Sequence, residues 1–291
     1  MSKEQASPQY LAWSAYSHVG RVRKNNEDKF IALNFNAQEF SYLGKYGQDS
    51  FAERDFVFAV SDGMGGAKAG EFASKIAVEK LTKYLPKGYL SAASGLDAGF
   101  ADLFEEVFVE THRALTYLSS QYEECAGMGS TMSLAWFRPG WMYFAHIGDS
   151  RIYYFPAGKD ELKQLTRDDT HVGWLLRNGK INEREARSHP MKHSIQKALG
   201  AGHQFVDPQV GAVGLEAGDR FLICSDGVVD GLWDRNILQI LQDPYGEERK
   251  KNAADRLVES AVERSGRDNT TAVVIEICAE ADRGEVHRAL E

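Results

Sequence analysis

About nine stretches of this chain alternate, or run continuously, in β-branched, aromatic and other apolar residues: 13–18, 29–33, 56–61, 131–137, 142–147, 151–155, 205–213, 220–225 and 271–277. Turn-forming residues separate most neighbours. Helical periodicity interrupts the strands twice, at 69–85 with 97–122 and again at 235–242 with 247–264. So many strands with helices grouped in pairs predict an α+β fold. The expectation is a four-layer αββα sandwich: two antiparallel β-sheets packed face to face, with helix pairs on both outer faces. At 291 residues and 43% hydrophobic content, one domain of this kind can bury a full core.

Two of the apolar runs end alike, in Ser61-Asp62-Gly63 and Ser225-Asp226-Gly227. A third, Phe144-Ala145-His146-Ile147, runs into Gly148-Asp149-Ser150, and two further strands are preceded by acids, Glu27-Asp28 and Asp268-Asn269. Asp-Gly between apolar runs is an ordinary hairpin signal, and each case alone reads as a turn. Asp62 and Asp226, however, are followed by helical segments rather than by a returning strand. If four such carboxylates converged to about 5 Å, each pair would repel by roughly 3 kcal/mol at an effective dielectric near 20. The six pairs would then cost on the order of 20 kcal/mol, more than the ~5–15 kcal/mol stability of a domain. Protonation or cations must relieve that repulsion, and an all-oxygen donor set selects hard ions such as Mg2+ or Mn2+.

The remaining composition narrows the function classes. A net charge of -8 with dispersed Lys and Arg argues against a nucleic-acid surface. Cys125, Cys224 and Cys278 are too few and too widely spaced for a disulfide framework or a zinc cluster, so they read as reduced thiols. No run approaches the ~20 apolar residues of a spanning helix, and 1–10 lack a signal-peptide core, which predicts a cytoplasmic location without a membrane. Residues 1–9 and 279–291 read as polar tails around a domain at 10–278. The segment 36–55 reads as a surface loop, and the charged stretch 167–193 as a flap beside a cleft.

The ordered motifs Gly20-x-x-Arg23-x-x-Asn26-Glu27-Asp28, Asp62-Gly63-Met64-Gly65-Gly66, Gly129-Ser130-Thr131 and Gly148-Asp149-Ser150-Arg151 resemble those of the PPM, or PP2C-type, protein phosphatases. Leu165-Thr166-x-Asp168, Ala198-Leu199-Gly200, Ser225-Asp226-Gly227 and Gly266-x-Asp268-Asn269 continue the resemblance in family order. It implies a metal-dependent serine/threonine phosphatase in which a hydroxide bridging two Mn2+ or Mg2+ ions attacks phosphorus directly. By position, Asp62 would bridge the two metals, the Gly63 carbonyl would assist one, and Asp226 and Asp268 would hold the other. Glu27 would act through water, Asp28 would support it, and Asp149 would serve a third, weaker ion. Arg23 would bind the substrate phosphate. Phosphorylated proteins, an opposing serine/threonine kinase and a monomeric state are part of the same implication. Met64 stands where animal members carry histidine, so the resemblance is to the bacterial branch, and either a metal-bound water or another residue must protonate the leaving group.

Two rivals are weighed beside it. Gly148-Asp149-Ser150 is similar to the nucleophile block of GDSL esterases, but Asp282 and His287 have the wrong spacing for the partner pair. A catalytically silent relative that binds phosphoproteins is the alternative, opposed by the retained acids. Trp136, Trp141 and Trp233 are expected to be core or packing aromatics, His146 a satisfied strand histidine, and His171, His189 and His193 residues in or beside the flap that are solvated in preference to touching substrate.

Overall fold

The computed structural model describes residues 10–36, 38–51, 54–93, 99–202, 205–242 and 251–279. In chain order the elements begin with β1 (Tyr10–His18), β2 (Asp28–Phe35), β3 (Phe40–Tyr42), β4 (Tyr46–Ser50), β5 (Asp55–Met64), α1 (Ala67–Ala93) and α2 (Phe100–Gln121). They continue with β6 (Gly129–Ser130), β7 (Met132–Arg138), β8 (Trp141–Ile147), β9 (Arg151–Phe155), β10 (Lys163–Gln164), α3 (His171–Arg177) and α4 (Glu183–Ser188). The last are β11 (Leu199–Gly200), β12 (Gln209–Gly214), β13 (Arg220–Cys224), α5 (Asp226–Gly231), α6 (Asp234–Leu241), α7 (Ala253–Arg264) and β14 (Thr270–Cys278).

Two antiparallel sheets form. One has six strands in the order β10-β9-β13-β14-β1-β4; the other has eight, along β11-β6-β5-β7-β8-β12 with β2 and β3 beyond β5. The side-chain alternation of the strands sorts their residues into three apolar layers. On β5, Phe56, Phe58 and Val60 face the opposing sheet, while Val57 and Ala59 face α1 and α2. On β14, Val273, Ile275 and Ile277 point between the sheets, and Ala272 and Val274 point to α5, α6 and α7. Burial on both faces is why these strands read as unbroken apolar runs. The helices present the matching stripes: Leu103, Phe104, Val107, Phe108 and Leu115 on α2, and Ala254, Leu257, Val258 and Ala261 on α7. The architecture is therefore the expected four-layer α+β sandwich.

Three local expectations need correction. The 36–55 segment is not simply a loop: β3 pairs with β2 in one sheet and β4 with β1 in the other, so the segment spans both sheets at their margin. The strand expected from residue 205 starts only at Gln209, since Pro208 has no N–H to donate. Trp141 is 49% exposed at the start of β8 and is not core, unlike the buried Trp136. The fourth expected helix starts at Ala253, and its expected first residues, 247–250, lie outside the described residues, as do 1–9 and 280–291. Among the described residues, no helix is long and apolar enough to cross a membrane.

Candidate metal centre

Antiparallel pairing decides which strand ends meet. The register sets Asp28, at the start of β2, opposite Asp62, near the end of β5. In the other sheet Cys224, which ends β13, lies opposite Ala272 of β14, so Asp226 and Asp268 emerge at one edge. Asp149 precedes β9, the other neighbour of β13. Five of the predicted acids thus come from separate segments to one rim of the sandwich.

The glycines of the two Asp-Gly pairs do not make hairpin turns, for neither Gly63 nor Gly227 has a positive φ. They allow close contact instead. A Cβ on Gly63 would overlap the Gly70 carbonyl in the first turns of α1, and one on Gly227 would overlap the Asn269 carbonyl. The turn into α1 is made by Gly65 and Gly66, at φ 118° and 90°. Gly70, which sequence reasoning missed, lies under the Glu27 carboxylate, where a side chain would collide with Glu27 Oε2. The small residues Ala67, Ala69 and Gly70 after Gly66 were its only signal.

A layer of buried hydroxyls fixes these strand ends. Thr131 Oγ1 accepts the Asp62 N–H at 3.0 Å and shares a hydrogen with Ser150 Oγ at 2.7 Å. Ser130 Oγ donates to the Asp62 carbonyl and pairs with Ser61 Oγ. Asp28 Oδ2 accepts from Ser225 and Thr271, both at 2.7 Å, which ties β2 to the opposing sheet beside Asp226. Gly129-Ser130-Thr131, expected only as a strand entry, therefore braces the Asp62 backbone.

The acids repel one another and are poorly hydrated. Asp28 is 2% exposed, and burial, against the pull of its two hydroxyl donors, pushes its pKa up to about 7. Asp62 is held well above the usual carboxylate range by burial first and then by Asp28, Asp226, Asp149 and Asp268. Burial, followed by Asp226 and Asp168, does the same to Asp149. Asp226 is raised by burial, with Asp230 and Asp268 adding to it and a His193 hydrogen bond opposing it. Glu27 is also raised, by burial above all.

Two basic side chains already neighbour this set. Arg23 Nη2 donates to Asp268 Oδ2 at 2.6 Å, and His193 Nδ1 lies 3.2 Å from Asp226 Oδ2. His193 was expected to be solvated surface. It reaches the acids because Lys192 Nζ bonds both oxygens of Asp230 at 2.8 Å, holding that part of the flap on α5. Arg187 also donates to the Leu232 carbonyl and lies over the Trp233 ring, 3.9 Å from its centroid. Between flap and α5 lies a cavity of about 150 Å3, with Asp149, Asp226 and His193 in its wall. In the same wall Arg151 binds Asp168 through two bonds of 2.9 and 2.7 Å. His146, by contrast, is fully buried and satisfied by Ser133 and the Gly148 carbonyl, as expected.

Among the described residues, no three His, Cys, Asp or Glu side chains close on one point as a finished metal cage. With Asp268 turned to Arg23 and Asp226 to His193, the carboxylates stand apart from a common centre. The donor chemistry nonetheless fits hard divalent cations. Asp28 Oδ1, Asp149 Oδ1 and Asp226 Oδ1 are buried oxygens without a hydrogen-bond partner, and three such atoms beside a strained acidic set call for positive charge.

A model of the family described as protein phosphatase 2C matches residues 42–260. Serine/threonine protein phosphatase PstP of Mycobacterium tuberculosis (strain CDC 1551 / Oshkosh) is 35% identical over 270 residues, 92% of this chain. The chain spans only 45% of that protein's length. Serine/threonine phosphatase stp of Listeria innocua is 31% identical over 259 residues, 88% of this chain and 92% of the relative. Among solved structures, the catalytic domain of PstP in complex with two manganese ions superposes with a TM-score of 0.71 at 31% identity, covering 93% of this chain and 99% of that one.

Proposed function

We propose, from the premise that this chain belongs to the protein phosphatase 2C family, that it removes phosphate from phosphoserine and phosphothreonine in proteins with the help of divalent cations. The observation that carries this reading is the gathering of Asp28, Asp62, Asp149, Asp226 and Asp268 at one rim, with three of their oxygens buried and unpaired. Asp62 with the Gly63 carbonyl, and Asp226 with Asp268, would hold two cations; Glu27 would reach one through water, with Asp28 behind it, and Asp149 would take a weaker third. Bound there, Mn2+ or Mg2+ supplies an activated water for attack on phosphorus and neutralises charge on the phosphoryl oxygens.

The chain's own residues do the rest. Arg23 spends one N–H on Asp268, which leaves further donors of its planar guanidinium for the phosphoryl oxygens of a substrate. Asn269 accepts the Glu27 N–H at 2.7 Å and so fixes the strand entrance that carries Glu27 and Asp28. The buried Ser and Thr hydroxyls hold the Asp62 backbone still, which limits reorganisation during the reaction. Met64 has no proton to give to the departing oxygen, so water at the site takes that role. Phosphoproteins as partners, a serine/threonine kinase as the opposing activity, a monomeric state and a cytoplasmic setting complete the reading.

The test is hydrolysis of p-nitrophenyl phosphate and of a phosphothreonine peptide, with Mn2+, with a chelator, and by Asp226→Ala. The expected result is turnover only in the wild-type protein with Mn2+. Equal rates in all three conditions end the proposal, and peptide binding without turnover favours the silent alternative.

A further inference from the structure

The loop between β1 and β2 carries Arg21, Val22, Arg23 and Lys24, all exposed, with Val22 69% accessible. Arg267, also exposed, sits beside it on the turn before β14. Of these cations only Arg23 is engaged by the acidic rim. Among the described residues Arg21, Lys24 and Arg267 have no ion-pair partner. Four positive charges thus crowd one wall of the rim in a chain whose net charge is -8.

The loop is also held in place. Asn269 Nδ2 donates to the Val19 carbonyl at 2.8 Å and to the Asn25 carbonyl at 2.9 Å, clamping both ends through one amide. The Arg21 N–H bonds the Gly266 carbonyl at 2.6 Å. Gly20, at φ 83°, lies so close to Asp268 that a side chain there would overlap the Asp268 carbonyl. The stem of Arg21 lies over Gly266, about where that residue's Cβ would touch it. The backbones of loop and turn are therefore tied to each other and to Asp268, which presents their cations from one anchored surface beside the candidate cation site. The nearby acids, Glu27 and Asp268, belong to that site and do not discharge the outer cations. The cavity by the flap differs: there the flap, α5 and α6 bring Glu183, Asp230 and Asp234 among Arg187 and Lys192.

We propose that Arg21, Lys24 and Arg267 form a specificity rim that selects phosphoproteins with Asp or Glu side chains flanking the phosphorylated residue. This rests on the phosphatase reading above and names its substrate class. Arg23 serves the phosphoryl group, and the three outer cations take the flanking carboxylates. Because exposed pairs are individually weak, the selection comes from three of them acting together on one preorganised loop.

Two phosphothreonine peptides of equal length, one with acidic and one with neutral flanks, test this with the full chain and Mn2+. Wild type is expected to show about a tenfold higher kcat/KM for the acidic peptide, a preference lost at about 0.5 M salt. In Arg21→Ala/Lys24→Ala/Arg267→Ala the preference disappears while p-nitrophenyl phosphate is hydrolysed as before. Lys24→Glu alone, at a side chain without an ion-pair partner, lowers it severalfold and covers the case in which the triple variant does not fold. Equal rates on both peptides in wild type, or a preference that survives the substitutions, overturn the rim. Loss of all turnover in wild type instead overturns the phosphatase reading. The rim is then decided by fluorescence anisotropy with the same peptides, where equal binding by wild type and variants defeats it and tighter acidic binding by wild type supports it.

Discussion

His146 is fully buried in β8, with Ser133 Oγ 2.8 Å from Nδ1 and the Gly148 carbonyl 3.1 Å from Nε2. A carbonyl only accepts, so Nε2 carries the proton and Nδ1 accepts from Ser133. Burial lowers the pKa from 6.5 to about 4, so the contribution to stability is whole above 6.5 and is lost as pH falls through that window. The loss amounts to about 3 kcal/mol. Denaturant unfolding of wild type and His146→Asn at neutral and mildly acidic pH checks it: the variant, less stable at neutral pH, should show a flatter acid slope. Parallel slopes would remove His146 from the account. At this scale the sequence was most informative where a residue's neighbours in the chain are also its neighbours in space. Asp62, Asp149 and Asp226 announce themselves at the ends of apolar runs, but the contact of His193 with Asp226 spans 33 positions and depends on Lys192 finding Asp230. No local pattern encodes that. The overlap of Gly63 with Gly70 was equally hidden, because Asp-Gly looks the same whether the glycine turns the chain or admits a helix.

The longer elements were legible because both faces of each central strand are buried, which leaves a dense apolar run to read. The short strands β3 and β4, which join different sheets, were not. They lie at the margin, Phe40 and Tyr42 are exposed, and β4 contributes Gly47 beneath the Trp13 ring and Asp49 to Asn34, so no apolar alternation survives. The flap, read as a charged stretch, holds the short helices α3 and α4, the second opened by an Asn182–Glu185 capping box. Its attachment to α5 lends itself to measurement. Lys192 and Asp230 are both partly accessible, so Lys192→Ala should cost no more than about 1 kcal/mol of global stability. Hydrogen exchange across 183–194 should nevertheless quicken about fivefold, with the central strands unchanged. Uniform acceleration throughout the protein would mean that the ion pair supports the whole fold and does not act as a local latch.

For the molecule as a whole, the acidic rim sets cation binding against folding. Without divalent ions, buried like charges oppose the folded state; with them, binding to the folded form alone adds about 2.7 kcal/mol at a hundredfold excess over Kd. For a chain of this size that raises Tm by about 4–5 °C. Asp62→Asn removes the residue at the centre of the repulsion. It is expected to make the chelated protein more stable by about 1–3 kcal/mol while abolishing most of the Mn2+ shift. Calorimetry with and without Mn2+ distinguishes these outcomes, and an unchanged Tm in wild type would mean that the rim does not bind the ion.

The pairing of β1 with β14, Tyr10 opposite Cys278, has a consequence for the order of synthesis. A chain emerging from the ribosome carries Arg23, Asp62 and Asp149 long before Asp226 and Asp268, and before the Asn269 amide that holds the β1–β2 loop. Until β14 leaves the exit tunnel, neither the central six-stranded sheet nor the rim can close. A growing chain therefore cannot assemble the acidic rim, which forms only when nearly every described residue is in place.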